Sequence, residues 1–121
     1  MPRRYFLSSI AVSHLREHKR WSIARFGQAI TKKYFEDLDK AFQYIADHYA
    51  SLPARKELTG DSGLGIHPIR EHFVIFLPLR DGVHIVDVLR QSRDVPNIIR
   101  QSAAIFEREI LQNSYLSSST Q

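Results

Sequence analysis

Two apolar, β-branched runs flanking a tight-turn signal constrain this chain most. Glu71–Pro78 (EHFVIFLP) and Val83–Arg90 (VHIVDVLR) bracket the stretch Leu79-Arg80-Asp81-Gly82. Asp-Gly between two such runs predicts a β-hairpin, with the glycine supplying positive φ. The first run is apolar on both sides, as central or doubly covered strands are. The second alternates more, with His84 and Asp87 among its apolar residues.

Upstream lies the strongest helical period. Ile30, Tyr34, Leu38, Ala41, Phe42, Ile45 and Tyr49 recur at steps of three or four, apart from the adjacent pair Ala41-Phe42, and Lys32, Lys33, Glu36, Asp37, Asp39 and Lys40 fill the other face. This helix is expected to stop before Pro53, because the residue preceding a proline disfavours helical geometry. An earlier helix is predicted from Ile10 to about Lys19, capped by Ser8 or Ser9, with Ala11, Leu15 and His18 near one face. Gly27 separates the two. Residues 3–7 (RRYFL) read as a first strand. Residues 50–65, with Pro53, Gly60, Gly63 and Gly65, read as a loop holding a short strand around Lys56–Thr59. Gly60 to Gly65 is glycine-rich, but it opens no helix, so a turn before the next strand is expected there and not a phosphate loop.

A third helical pattern starts after Asp94, with Pro96 in its first turn. Its apolar face (Ile99, Ala103, Phe106, Ile110) is expected to be core or a dimer contact, or else a cover for a partner-binding groove. Ser114–Gln121 is polar, serine-rich and expected to fray. The fold class is therefore α+β: an N-terminal strand, a two-helix hairpin packed on a small antiparallel sheet, and a C-terminal helix. One domain over 1–121 is expected, with a core of about 3–95 and a helical extension of about 96–113.

A chain of 121 residues is long enough to bury roughly two thirds of its unfolded surface. It needs no staple, and it has no cysteine, which excludes a disulfide framework, a thiolate metal site and a cysteine nucleophile. No apolar run approaches a membrane span, and Ser8 and Ser9 interrupt any signal-peptide core after Arg3 and Arg4; a cytoplasmic protein without a membrane partner is expected. The balance of 17 basic to 13 acidic side chains gives +4. It fits an anionic partner, nucleic acid or an acidic protein segment, as well as plain solubility.

The order and spacing of several short patterns resemble the ParE/RelE toxin superfamily, and its ParE-like members in particular. The first half offers Leu7-Ser8, Ala11 and His14-Leu15, then Phe26-Gly27, Tyr34 with Leu38, Ile45-Ala46, and Pro53. The second offers Val74-Ile75-Phe76, Ile85-Val86-Asp87-Val88-Leu89 and Arg93-Asp94. The likeness spans about residues 4–95. His14 stands where the family has an acid. The family's strand histidine falls at Phe73, with His72 one place early, and Asp87 and Arg90 stand where ParE-like members commonly carry Arg and His. The resemblance implies a toxin held inactive by a cognate antitoxin, acting on DNA gyrase if ParE-like. A RelE-like member would instead cleave messenger RNA on the ribosome. A degenerate, non-toxic relative is a third reading. Homodimers and toxin–antitoxin hetero-oligomers are both compatible with it.

Cleaving RNA needs a base for the 2′-hydroxyl, an acid for the leaving group and cations for the phosphate. The candidates are His72, His84 and Arg90, with His72 and His84 expected to be neighbours across the hairpin. Against this, a strand histidine more often packs its ring and bonds a backbone group. Arg70, Arg90 and Arg93 are expected to form a cationic edge for a target's acidic or phosphate groups. His14 and His18, one helical turn apart, have the spacing of a zinc pair, but only Glu17 accompanies them and a solvated helix face is the expectation. No cofactor and no metal are expected.

Overall fold

The structure, a computed structural model, describes residues 4–101 and residue 108. Its elements run β1 (Tyr5–Leu7), α1 (Ser9–Phe26), α2 (Gln28–His48), a 3-10 turn (Tyr49–Ser51), α3 (Lys56–Thr59), β2 (Gly65–Ile69), β3 (His72–Leu79) and β4 (Gly82–Arg90). A further helix, α4, starts at residue 95 and is described to residue 101. Of the apolar face expected on it, Ile99 is buried, while Ala103, Phe106 and Ile110 lie outside the described residues, as does the serine-rich end.

The expected α+β architecture holds. The four strands order as β1-β4-β3-β2. β2, β3 and β4 are antiparallel neighbours, as predicted. β1 differs: it pairs with β4 in parallel, Tyr5 opposite Val83 and Leu7 opposite Ile85. Three helices and two strands separate β1 from β4 in sequence, and so long a crossover allows the parallel direction that a tight turn forbids. The hairpin turn also sits one place earlier than the Asp-Gly signal: Leu79 pairs with Gly82, leaving Arg80-Asp81 as the loop. Gly82 still carries the expected positive φ, at 151°. A side chain there would collide with the Arg4 carbonyl and the Phe6 ring, so glycine lets β1 dock beside β4.

Ser8 fastens three elements at once. Its Oγ accepts from the Ala11 amide at 3.0 Å, capping α1. The same hydroxyl donates to the Val86 carbonyl at 2.8 Å, and the Ser8 amide donates to the Ile85 carbonyl at 3.0 Å. α1 runs on past Lys19 to Phe26, further than its apolar pattern predicts, and ends at Gly27 (φ 89°). Where α1 and α2 pass each other, Ser22 and Thr31 are buried and share a hydrogen bond of 2.7 Å. Thr31 rather than Ile30 therefore faces inward at the start of α2, and Ile30 is exposed.

The predicted stripe otherwise forms the core. Tyr34, Leu38, Phe42, Ile45 and Ala46 of α2 pack against Val74, Phe76, Val83, Ile85 and Val88 of β3 and β4. A second cluster joins Ile66, Phe73, Ile75, Val86 and Leu89 to Val95 and Ile99 of α4. Alternation along the strands assigns the two clusters to opposite faces of the sheet. A register shift between Ile75 and Phe76, where Ile75 faces Asp87 and Phe76 faces Ile85, leaves Val86 as an extra residue. This bulge turns Val86 and Val88 to different faces. β4 is buried along its length except Arg90, so the alternation read from its sequence is not an inside–outside pattern.

The loop differs from expectation at one point. Lys56–Thr59 is a single helical turn, and the third hairpin-side strand lies at Gly65–Ile69 instead. Pro68 sits within that strand, and among the described residues β2 pairs only with β3; proline is tolerated on such an edge.

Candidate functional site: two grooves meeting at Arg90

α1 crosses the end of the β3–β4 hairpin and leaves a groove of about 590 Å³ between itself, β4 and the start of α4. A second groove of about 220 Å³ opens between the α1–α2 tip and the β2–β3 turn. His18, Trp21, His72 and Arg90 line both.

In the second groove, Tyr34 from α2 reaches His72 from β3, with the Tyr34 hydroxyl 2.5 Å from Nδ1. His18 packs edge-on to His72, ring centroids 4.6 Å apart. Burial pushes the His72 imidazole down to about 4, helped by His18 and Arg90. His18 is lowered for the same reason, burial first and Arg90 second. Burial pushes the Tyr34 phenol up to about 12, against the pull of Arg70. At neutral pH the ring is therefore uncharged and the phenol protonated, and a single hydrogen bridges them.

Arginines surround this cluster. Arg90 lies over the Trp21 ring at 4.6 Å, and Arg25 over the same ring at 5.5 Å. Arg70 lies over Tyr34 at 5.3 Å and pairs with Asp37. Arg70 also has positive φ, 50°, at the β2–β3 turn. Arg93 lines the first groove beside Arg90. The three arginines expected as a cationic edge thus come to one end of the molecule, Arg70 and Arg90 on the second groove and Arg90 and Arg93 on the first.

The two candidate histidines do not meet. His72 stands opposite Arg90 and His84 opposite Leu77. Five residues of strand separate them, roughly 17 Å at ~3.4 Å per residue. The bulge also sends them to opposite faces. His84 instead stacks on Phe6 at 5.0 Å and bonds Asp81 at 2.9 Å.

Asp87 and His14, two of the departures from the family pattern, meet in one contact. The Asp87 carboxylate is buried, accepts from the Val88 amide at 2.8 Å and bonds His14 Nδ1 at 2.6 Å. Burial pushes the Asp87 carboxyl up, opposed by His14. His14 and His18 go to separate partners. No group of three His, Cys, Asp or Glu able to hold a metal occurs among the described residues.

Sequence reasoning missed Trp21, Tyr34 and His18 as groove residues. His18, Trp21 and Arg25 recur at steps of three and four on α1, a second stripe beside the core-facing one. That spacing was the available signal.

A small α+β fold with arginine-lined grooves beside an α-hairpin defines the class. The family model of the ParE toxin of type II toxin-antitoxin system, parDE, matches residues 5–95. The chain belongs to the ParE toxin family. No curated protein matches it. Membership implies an antitoxin partner. Among the described residues no helix is long and apolar enough to cross a membrane.

Proposed function

We propose that this toxin acts by binding a protein target, DNA gyrase, in the cytoplasm, and that a cognate antitoxin neutralises it. The observation that supports binding over RNA cleavage is the state of His72. A leaving-group acid must hold a proton near neutral pH, and an imidazole pushed down to about 4 does not. Its Nδ1 is occupied by Tyr34, and His84 is too remote to complete an acid–base pair. Arginines need no such tuning to grip an acidic surface, because guanidinium stays charged and offers paired donors.

Controlled expression without a partner tests this. The expected result is growth arrest with filamentation and altered plasmid supercoiling while bulk translation continues at first. A prompt fall in translation, with cut messenger RNA, would favour the RelE-like reading. No arrest would favour a non-toxic relative.

A further inference from the structure

The first groove holds a polar arrangement that gripping a protein surface does not require. Asp87, its side chain 3 % exposed, bonds His14 Nδ1 at 2.6 Å. A buried carboxylate on one ring nitrogen fixes the ring's orientation and leaves the other nitrogen for a ligand. His14 is itself half exposed and lines the groove. Among the described residues its Nε2 has no partner. A tether between α1 and β4 would need only the Nδ1 contact and not a ring edge turned to a cavity. Two guanidinium groups share that cavity. Arg90 and Arg93 line it, and among the described residues neither pairs with a carboxylate. Trp21 carries the Arg90 guanidinium at 4.6 Å, which steadies the fork and leaves its N–H edge for an acceptor. Arg93 stands close enough to Asp87 to pull its carboxyl down against burial. Glu17 is the acid besides Asp87 among the described lining residues, and the Asp87 charge is already taken up by His14 and the Val88 amide.

We propose that this groove binds a small phosphate-bearing ligand, a phosphomonoester or a diphosphate, whose oxygens take donors from Arg90, Arg93 and the His14 ring held by Asp87. As the imidazolium, the ring donates to Asp87 from Nδ1 and to a phosphate oxygen from Nε2. The three donors come from three places: His14 from α1, Arg90 from the end of β4 and Arg93 from the turn before α4. Donors converging from several sides suit a tetrahedral anion, whereas one guanidinium fork already satisfies a planar carboxylate. A volume of about 590 Å³ walled by α1, β4 and the start of α4 has the size of a small-molecule site, too narrow for a duplex. The inference stands apart from the gyrase reading. Its one link is that Arg90 and Arg93 belong to the cationic edge, so a bound ligand would occupy part of it.

Calorimetric titration of the full chain with inorganic pyrophosphate and with a nucleoside monophosphate, at constant ionic strength, tests this. Long-range proton–nitrogen NMR follows the His14 ring in the same titrations. Three variants accompany the parent, their folds checked by circular dichroism. Arg93→Glu reverses an exposed charge in the groove, and Arg80→Glu makes the same change at the exposed hairpin loop. His14→Asn keeps an amide donor for Asp87 and lacks Nε2. One ligand per chain is expected for at least one probe, with a shift of the His14 Nε2 signal; the probe that binds more tightly names the source. Affinity is expected to fall about tenfold or more in Arg93→Glu and His14→Asn, and to stay within about twofold in Arg80→Glu. No saturable binding of either probe overturns the proposal. So does equal weakening by Arg80→Glu and Arg93→Glu, the mark of diffuse attraction. Binding that leaves the His14 ring signal unmoved overturns it as well, and needs no folded His14 variant. A single-stranded oligonucleotide that binds where neither small probe does would overturn it in favour of a backbone reader. None of these outcomes depends on whether the chain arrests growth.

Discussion

His72, bonded to Tyr34 and packed on His18, carries a stability signature. Its folded pKa lies below the ordinary histidine value, so between about 4 and 6.5 the unfolded chain binds the proton more readily. Its stability contribution is therefore complete above pH 6.5 and is lost as pH falls towards 4. The expected loss from this side chain is on the order of 2 kcal/mol, after allowance for solvent screening. Urea unfolding midpoints between pH 7.5 and 4.5 measure it, and His72→Gln is expected to flatten the slope. An unchanged slope would mean that His18 and His67, also lowered by burial, carry the effect. Asp87 gives the complementary prediction. Asp87→Ala strands the Val88 amide and the His14 ring, and is expected to cost about 2–4 kcal/mol in chemical denaturation. Asp87→Asn, which keeps an acceptor for Val88, is expected to cost less. None of this was legible in the sequence. A histidine in a strand and an aspartate among valines read as oddities until the helix that meets them is in place.

The helices and strands were legible where one periodicity decided the matter. The stripe from Tyr34 to Ile45 is the core-facing side of α2 because nothing competes with burial there. Ile30 broke the pattern because two hydroxyls, on Ser22 and Thr31, satisfy each other where the helices are closest. β1 was visible, but its direction was not, since direction depends on the distant strand it meets. β2 was hidden by Pro68 and Gly65, residues that sequence reasoning assigns to loops. Two substitutions test the joints. Gly82→Ala places a methyl against the Arg4 carbonyl at positive φ, and is expected to cost about 1–3 kcal/mol and to speed amide exchange in β1. Ser8→Ala removes the α1 cap and the bond to Val86, and is expected to cost about 1–2 kcal/mol. Thermal unfolding measures both.

The whole molecule packs α2 on one face of the sheet and the start of α4 on the other, and gathers arginines at one end. The cationic edge could be named from the sequence because Arg70, Arg90 and Arg93 flank the predicted strands. Its depth could not, because the grooves are made by α1, whose Trp21 and His18 sit far from those arginines in the chain. The same geometry separates His72 from His84 and holds His72 neutral, which is the basis for reading this ParE-family toxin as a binder of protein. The most direct measurement incubates the purified chain with DNA gyrase and relaxed plasmid, and in parallel with ribosomes programmed with messenger RNA. The account predicts that supercoiling stalls in proportion to the chain added, while the RNA stays intact. Cut RNA with supercoiling unaffected would contradict it.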